Sequence, residues 1–284
     1  MNEMAKKQKQ RKSKQRPVKM AKSADRHDLY QRAVQEPDAD IPLIQKVFRN
    51  QFARPARTLR EDFCGTALLA CRWVEKSSDH RAWGIDLDPD PLEWGRIHNL
   101  GELKPEQAGR VKLIEGDVLD IGHEPVDVTV AFNFSYFLFK ERASLLNYFK
   151  RAFSTLNSEG VLILDAYGGA DSQRTSEETR EVDEHFDYVW DQHRFDPIHH
   201  HVTNFIHFQF SDRSQIKRAF RYEWRLWSIP EIRELLDEAG FEKTEVYWEG
   251  TDRETGEGND IFSPREQAPD DPAWICYIAG YRSS

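Results

Sequence analysis

The sequence predicts an α/β protein built on a doubly wound parallel sheet, and three observations lead to that prediction. Short apolar runs typical of strands alternate with amphipathic helices through short connections between about residues 57 and 165. The run from Val126 to Phe132 is almost continuously apolar, as in a strand whose two faces are both covered. A glycine turn follows the first strand and an acid ends the second, at the edge where such sheets bind ligands.

The elements follow one another in a simple order. Apolar residues at helical spacing predict two helical pieces within residues 25–52, divided near Pro37. Strands and helices then alternate: the strands are Arg57–Glu61, Arg81–Asp86, Val111–Glu115, Val126–Phe132 and Val161–Asp165, and the helices are Thr66–Glu75, Pro89–Asn99 and Lys140–Leu156.

The alternation stops at about residue 183. Residues 183–227 are strand-like and rich in aromatic residues and histidine, with two turn signals, which predicts two or three inserted antiparallel strands. Ser228 and Glu231 then form a capping box, and Gly240 ends the helix that they begin. Two closing strands, Phe241–Trp248 and Trp274–Tyr281, are predicted to be joined by a long acidic loop rich in glycine and proline.

Composition excludes several classes of protein. The chain has 284 residues, of which 39% are hydrophobic and 31% charged, and its mean hydropathy is −0.75. No apolar run is long enough for a membrane span, and no apolar segment follows the basic N-terminus as in a secretory signal. Three cysteines without CxxC spacing exclude a disulfide scaffold or zinc ribbon and favour a cytoplasmic location.

The N-terminus has the opposite charge to the rest of the chain. Residues 1–22 contain nine basic residues against the single acid Glu3, although the whole chain has a net charge of −9. We therefore predict that residues 1–24 form a disordered basic tail and that residues 25–284 form one domain. A solvated arm is the favoured interpretation, and weak contact with RNA or another polyanion is the alternative.

The glycine turn, Leu59 to Ala67, points to a cofactor that contains adenosine. Such a turn allows close approach of a ligand to the backbone, and Asp86 at the end of the next strand can accept hydrogen bonds from ribose hydroxyls. A dinucleotide needs several glycines around its pyrophosphate, whereas this turn has only Gly65. The acids Glu61 and Asp62 suit an ammonium group and would repel a pyrophosphate, which favours S-adenosylmethionine over NAD.

These residues resemble a known family. The run Glu61–Ala67, followed by Gly84–Asp88 and Glu115–Asp117, is similar to the first three motifs of class I S-adenosylmethionine-dependent methyltransferases. The similarity covers about residues 58–165 and extends more loosely to Tyr281. The family motif usually reads D-x-G-x-G-x-G; here Phe63 and Ala67 replace its first and third glycines. The resemblance implies a Rossmann-like methyltransferase fold with a seven-stranded sheet, to which the chain adds N-terminal helices and the β-rich insertion.

The resemblance also implies roles for individual residues. Asp86 would hold the ribose, Asp117 the adenine amine, and Val118 would pack on the ring; Asp86 and Asp117 could instead be ordinary cap or turn residues. Tyr30 is a candidate lid aromatic facing the sulfonium. The predicted cofactor-binding residues are Tyr30, Arg60, Glu61, Asp62, Phe63, Cys64, Gly65, Thr66, Asp86, Leu87, Asp117, Val118 and Asn133.

Candidate catalytic residues lie in two places. Asn133 and Tyr136 follow the fourth strand, where the crevice should meet the methyl group, and an ordinary strand-to-helix loop is the alternative. His199 and His201 of the insertion are candidates for substrate contact or general base, because histidine titrates near neutrality. No set of ligands with metal-site spacing accompanies them, so no metal is predicted. Three arginines are candidates for holding an acidic substrate: Arg60, Arg221 and Arg225. Trp224 is a candidate aromatic residue of the pocket.

The sequence therefore predicts a methyltransferase that acts on an N, O or S nucleophile of a small-molecule acceptor. One alternative is an inactive methyltransferase fold that serves as a binding or regulatory module. An RNA methyltransferase and an NAD-dependent oxidoreductase are the remaining alternatives. The acceptor and the oligomeric state do not follow from the sequence.

Overall fold

A computed structural model describes residues 18–120, 122, 124–252, 254–256 and 258–283. Its helices are α1 (Met20–Ser23), α2 (Arg26–Val34), α3 (Pro37–Phe52), α4 (Leu68–Glu75), α5 (Pro89–His98), α6 (Pro105–Ala108), α7 (Arg142–Ser154) and α8 (Ile229–Ala239). Its strands are β1 (Thr58–Asp62), β2 (Arg81–Asp86), β3 (Val111–Glu115), β4 (Val126–Ala131), β5 (Leu156–Gly168), β6 (Ser176–Glu181), β7 (Phe186–Asp196), β8 (His201–Phe210), β9 (Gln215–Arg225), β10 (Lys243–Thr251), β11 (Gly258–Pro264) and β12 (Trp274–Arg282).

The main sheet has the strand order β11-β10-β12-β5-β4-β1-β2-β3. Its five strands from β3 to β5 are parallel, and β12, β10 and β11 continue the sheet antiparallel. All six residues of β4 are buried, as its apolar run predicts. Helices cover both faces, so the carboxyl ends of β1, β2 and β4 meet at one open edge.

The sheet has one more strand than the seven predicted. The extra strand, β11, lies in the segment predicted as an acidic loop and pairs with the edge strand β10. Phe262 of β11 packs edge-on against Tyr277 at a ring distance of 4.8 Å. The strand was not predicted because polar residues flank its two apolar residues, and an edge strand needs little apolar surface.

The insertion is larger than predicted. It is a separate four-stranded antiparallel sheet, β6-β7-β8-β9, that begins at Ser176 instead of near residue 183. The first strand, β6, was missed because it is polar and almost fully exposed, so it has no alternating pattern. A small apolar cluster joins this sheet to α2 through Leu29, Ala33 and Phe208.

The predicted disordered tail is ordered at its end. Residues 1–17 lie outside the described residues, but Met20–Ser23 form the short helix α1. The backbone N–H groups of Met20 and Ala21 donate to the side chains of Asp212 and Ser214 in the insertion. These partners are about 190 residues away in the chain, and local composition cannot reveal them. Within the described part of the chain, no helix is both long and apolar enough to cross a membrane.

Candidate functional site

The turn between β1 and α4 has an unusual backbone. Phe63, Gly65 and Ala67 all have positive φ, at 57°, 53° and 54°. Nothing lies within 4 Å of the place where a Cβ on Gly65 would be, so glycine is needed there for its backbone and not for space. Phe63 and Ala67, which replace two glycines of the family motif, therefore adopt a turn that glycine favours.

Neighbouring elements hold this turn in place. The backbone N–H of Gly65 donates to Asp86 Oδ2 at 2.7 Å, and Asp86 Oδ1 accepts from the N–H of Asp88 at 2.9 Å. On the other side, α5 packs so closely that a Cβ on Gly95 would lie 2.2 Å from the carbonyl oxygen of Thr66. The turn is thus clamped between the end of β2 and the middle of α5.

A cavity of about 400 Å³ lies along this turn. Its floor is the turn and the ends of β1 and β2, and its roof is α2 together with β9 of the insertion. Four carboxylates line it, against two guanidinium groups: the acids are Glu61, Asp62, Asp86 and Asp88, and the arginines are Arg26 and Arg221.

The acids of this cavity are strongly influenced by burial. Burial raises the pKa of Glu61 to about 8, and nearby carboxylates add to the shift. Glu61 also accepts a hydrogen bond from the N–H of Ala70 at 2.9 Å, near the start of α4. Burial likewise raises the pKa of Asp86, although the N–H donors of Asp88 and Gly65 oppose it. The cavity therefore has acids that a bound cation would stabilise in their ionised form.

Beneath the cavity lies a buried ion pair. Arg60 and Asp62 are both inaccessible to solvent, and Arg60 Nε donates to Asp62. The other oxygen of Asp62 accepts from the Tyr148 hydroxyl at 2.9 Å, and Arg60 Nη2 donates to the carbonyl of Val118 at 2.8 Å. Arg60 is therefore occupied by structural partners and does not line the cavity, contrary to its prediction as a ligand contact.

A second cavity, of about 550 Å³, adjoins the first and shares Tyr30, Asn133 and Tyr222 with it. It lies between the insertion and the ends of β5 and β12. The Tyr30 and Tyr222 hydroxyls are hydrogen-bonded to each other, and burial raises the pKa of Tyr30 to about 12. These neutral hydroxyls from α2 and β9 stand at the junction of the two cavities.

Asn133 is placed at the same junction by an acid beneath it. The backbone N–H groups of Asn133 and Phe134, both with φ of 57°, donate to the carboxylate of Asp165 at 2.6 and 2.9 Å. Burial nevertheless raises the pKa of Asp165 to about 7. This acid at the end of β5 orders the loop, and sequence reasoning did not single it out.

The structure brings together most of the predicted cofactor residues. Nine of them line the first cavity: Tyr30, Glu61, Asp62, Phe63, Cys64, Gly65, Thr66, Asp86 and Asn133. Three others, in addition to Arg60, lie outside its lining. Leu87 is exposed, Val118 is buried in the core, and Asp117 accepts the N–H of Leu119 in a turn. Asp117 follows β3, which pairs with β2, so it remains at the same edge of the sheet.

Among the predicted catalytic residues, only Asn133 faces the cavities. Tyr136 is fully buried, and its hydroxyl donates to the carbonyl of Asp165 at 2.8 Å, so it belongs to the core. His199 and His201 lie at the turn between β7 and β8, stacked on each other at 5.5 Å and outside both cavities. His199 instead contacts Asp196 at 2.8 Å. The prediction of an active-site base from these histidines is therefore wrong in its geometry.

The other candidates divide in the same way. Arg221 lines the first cavity and Trp224 the second, whereas Arg225 bonds Glu231 and lies over the ring of Trp227. The sequence reasoning missed several lining residues, which lie on or next to α2, α5 and β9: Arg26, His27, Gln35, Asp88 and Phe220. His27 lies three residues before the predicted lid residue Tyr30, a helical spacing that could have indicated that both face the cavity.

One group of potential metal ligands occurs among the described residues, on the outer face of the insertion: Glu177, Asp191 and His207. Its chemistry does not fit a metal. His207 Nδ1 accepts the N–H of Arg218 at 2.7 Å, so its Nε2 carries the proton that it directs to Asp191 at 3.2 Å. A protonated ring nitrogen cannot coordinate a metal ion.

Comparison with known proteins supports the fold. No family model and no curated protein matches the sequence. Among solved structures, an S-adenosylmethionine-dependent methyltransferase from Clostridium acetobutylicum is 16% identical, with 89% of this chain and 96% of that chain covered and a TM-score of 0.62. DesVI of Streptomyces venezuelae is 17% identical, with 91% and 97% covered and a TM-score of 0.64. CalS10, an amino pentose methyltransferase of Micromonospora echinaspora solved with S-adenosylmethionine bound, is 14% identical, with 90% and 95% covered and a TM-score of 0.63. The resemblance seen in the motifs is thus confirmed at the level of the fold.

Proposed function

We propose that this chain, which has the fold of the class I methyltransferases, uses S-adenosylmethionine to methylate an N, O or S nucleophile of a small-molecule acceptor. The observation that carries the proposal is the pair of adjoining cavities that meet at Tyr30, Asn133 and Tyr222. One cavity follows the glycine turn and the other opens beyond it. Two reactants could therefore meet at their junction.

The first cavity fits the cofactor in charge. S-adenosylmethionine carries an ammonium, a sulfonium and a carboxylate, and the cavity offers Glu61 to a cation and Arg26 or Arg221 to an anion, while Asp62 beneath it is already paired with Arg60. Each oxygen of Asp86 accepts one backbone N–H and retains a lone pair for a ribose hydroxyl. A pyrophosphate would instead lie beside the carboxylates of Asp86 and Asp88, which argues against a dinucleotide and an oxidoreductase.

When bound, the cofactor supplies a methyl group activated by the adjacent sulfonium. The chain's own contribution is positioning and the exclusion of water. Asn133 is held by Asp165 at the junction, and the Tyr30 and Tyr222 hydroxyls stay protonated because burial raises their pKa. These hydroxyls can orient an acceptor by hydrogen bonding, but they cannot take its proton at neutral pH.

A small acceptor suits the second cavity. Its volume of about 550 Å³ lies within the range of small-molecule sites. CalS10, which has a similar fold, is named for an amino pentose, and that likeness supports a small molecule over RNA. Polyanion contact through the basic tail and a cytoplasmic location stay predictions from the sequence.

The test is calorimetric titration with S-adenosylmethionine, S-adenosylhomocysteine and NADH. We expect micromolar binding of the two sulfur nucleosides and none of NADH. Asp86→Ala should weaken binding at least about tenfold, through loss of about 1.4 kcal/mol or more of ribose contact. Glu93→Ala, which removes an exposed carboxylate on the next helix, should leave binding unchanged.

A melting curve of each variant separates loss of the ligand contact from loss of the fold. Failure of the folded wild type to bind either sulfur nucleoside would overturn the proposal. Binding of NADH instead would establish an oxidoreductase. Binding without turnover to S-adenosylhomocysteine across a broad acceptor panel would favour an inactive binding module.

A further inference from the structure

We infer that the second cavity, the acceptor cavity, takes an organic cation with a flat aromatic body, such as an arylalkylammonium ion. The inference rests on the proposed function, because it treats this cavity as the place of the methyl acceptor. It concerns which molecule is held there and does not assign the atom that is methylated. Three features of the cavity carry it: its aromatic walls, its excess of carboxylates, and the prior engagement of its other polar groups.

The walls of the cavity are aromatic. Eight aromatic side chains from α2, the loop after β4, the main sheet and the insertion line it: Tyr30, Phe134, Tyr167, Tyr188, Trp190, Tyr222, Trp224 and Trp274. Trp224 lies at the centre, with ring distances of 4.4 Å to Tyr222, 6.1 Å to Trp190 and 6.4 Å to Tyr167. Aromatic faces bind flat apolar rings by stacking and attract cations through their negative faces.

The charges in the lining are predominantly negative. Asp171, Glu178 and Glu249 line the cavity, against the single cation Arg180. Arg180 is already engaged, since it donates to the carbonyl of Ala33 and lies 5.5 Å from the ring centre of Tyr188. Asp171 pairs with Arg174 at 2.8 Å, and Glu249 accepts the N–H of Asp260 at 2.9 Å, whereas among the described residues no ion pair joins Glu178 or Glu249 to a basic side chain. A cation is therefore attracted to this cavity and a carboxylate or phosphate is repelled.

Away from its junction with the first cavity, amide groups at the second cavity are already hydrogen-bonded within the protein. Gln192 Nε2 donates to Ser176 Oγ at 2.7 Å and to the carbonyl of Asp171 at 3.3 Å. Behind the lining, Asn204 donates to the hydroxyl of the lining residue Tyr167 at 3.2 Å. These amides fix the strands and rings of the cavity, which leaves the carboxylate of Glu178 as the charged group best able to recognise a polar part of the acceptor.

The experiment compares ligands of the same shape and different charge. Tryptamine, indole-3-propionamide and indole-3-propionate are titrated calorimetrically into the full chain, with and without S-adenosylhomocysteine. We expect tryptamine to bind about tenfold or more tighter than the neutral amide, and the anion to bind weakest. Hexylamine, which has the charge without the ring, should also bind more weakly than tryptamine. Added salt should weaken tryptamine binding and leave the amide unaffected.

Two variants of one strand provide the matched test. Glu178 and Glu177 are adjacent in β6, so their side chains point to opposite faces; Glu178 lines the acceptor cavity and Glu177 the outer cluster with Asp191 and His207. Glu178→Gln should weaken tryptamine binding about fivefold without affecting the amide. Glu177→Gln should change neither.

Several results would overturn the inference: equal affinity for the three indoles, tighter binding of the anion, no binding of tryptamine, or equal effects of the two variants. Its failure is distinguishable from that of the proposed function. Binding of S-adenosylhomocysteine without tryptamine overturns only the inference. Binding of tryptamine without S-adenosylhomocysteine supports a cation site in this cavity and overturns the methyltransferase proposal.

Discussion

The main sheet and the insertion sheet build their parts of the site in different ways. In the main sheet, the central strands are buried on both faces, and the turn after β1 is held by the Asp86 carboxylate, which accepts the N–H of Gly65, and by the close packing of α5. The insertion sheet is two-sided: one face packs on α2 and lines the acceptor cavity, and the other carries exposed polar residues. The difference indicates that contacts to neighbouring elements fix the backbone of the turn, whereas the side chains of the insertion shape the second cavity.

This difference predicts that substitutions in the insertion are tolerated better than substitutions in or beneath the turn after β1. A change in the turn or beneath it affects backbone that the whole sheet depends on. A change of an aromatic or acidic side chain in the insertion alters the cavity and leaves the main sheet in place. The following five predictions test this contrast, from the largest expected effect to the smallest.

The largest effect is expected at the buried ion pair of the main sheet. Asp62→Asn leaves the charge of Arg60 buried without its carboxylate, which should lower the free energy of unfolding by about 3–5 kcal/mol. Urea denaturation measures the change. Tyr148→Phe removes only one hydrogen bond to Asp62 and should cost about 1 kcal/mol. If Asp62→Asn costs less than the roughly 1 kcal/mol expected for Tyr148→Phe, the ion pair is not essential to the stability of the sheet.

A large but local effect is expected in the insertion. Phe208→Ala empties the centre of the cluster between α2 and the insertion, at a cost of about 3 kcal/mol. Hydrogen exchange should accelerate in α2 and in β6 to β9, while β1 and β4 keep their protection. Phe149→Ala, in the core of the main sheet, should instead accelerate exchange throughout the chain. Uniform loss of protection in Phe208→Ala would mean that the two sheets unfold together.

Next in size is the clamp on the cofactor turn. Gly95→Ala places a Cβ against the carbonyl of Thr66 and should cost about 2 kcal/mol by displacing the turn. Thermal unfolding measures the stability, and titration with S-adenosylhomocysteine shows whether displacement of the turn lowers the affinity for the ligand. Gly109→Ala is the control, because its Cβ would meet the nearest atom at 3.4 Å. If Gly95→Ala keeps the stability and the affinity of the wild type, α5 can shift to accommodate the added Cβ and the close packing does not hold the turn.

The pH dependence of cofactor binding tests the electrostatics of the main-sheet site. Glu61 has a raised pKa of about 8, so it is largely protonated at neutral pH, and a bound ammonium favours its ionised form. Affinity should therefore rise with pH by up to about tenfold per unit, or about 1.4 kcal/mol, between pH 6 and 7. Calorimetry in two buffers of different ionisation enthalpy should detect the released proton. Glu61→Gln should remove the pH dependence of the affinity. If the affinity of this variant still rises equally with pH, the proton released on binding comes from a group other than Glu61.

The smallest effect is expected at the junction of the cavities. Tyr222→Phe removes the hydrogen bond to Tyr30 that links the insertion to α2, and it should cost about 1 kcal/mol of stability. Its melting temperature is to be compared with that of Tyr247→Phe, which removes a similar hydrogen bond to Tyr281 in the main sheet and lines neither cavity. Methyl transfer should fall more than cofactor affinity, because the hydroxyl pair faces both cavities. An unaltered rate in a folded variant would exclude a role in orienting the acceptor.

Much of the fold was predictable from local patterns. The parallel core, the capping box at Ser228 and the glycine turn are encoded in short stretches, and each lies where expected. Two strands escaped prediction, because β6 is polar and exposed and β11 is a polar edge strand. Such strands are specified by their hydrogen-bonding neighbours and not by their own apolar pattern.

The site was predictable to a different extent at its two ends. Eight of the predicted cofactor residues line the first cavity because they lie at or just after strand ends that share one edge, and the ninth, Tyr30, lies on α2. Tyr136 and the histidines failed for a common reason: proximity in sequence to a loop or strand does not say which way a side chain points. Tyr136 turns into the core, and His199 lies at the far turn of the insertion.

The sequence by itself determined the α/β class, the parallel strands and the acidic glycine turn, because each depends on residues within one or two adjoining elements. Only the tertiary structure decided the acceptor cavity. Its lining comes from α2, the loop after β4, and strands of both sheets, from Tyr30 to Ile275. No local pattern records how these segments meet, because their packing depends on long-range contacts between side chains whose orientation is set only when both sheets have formed.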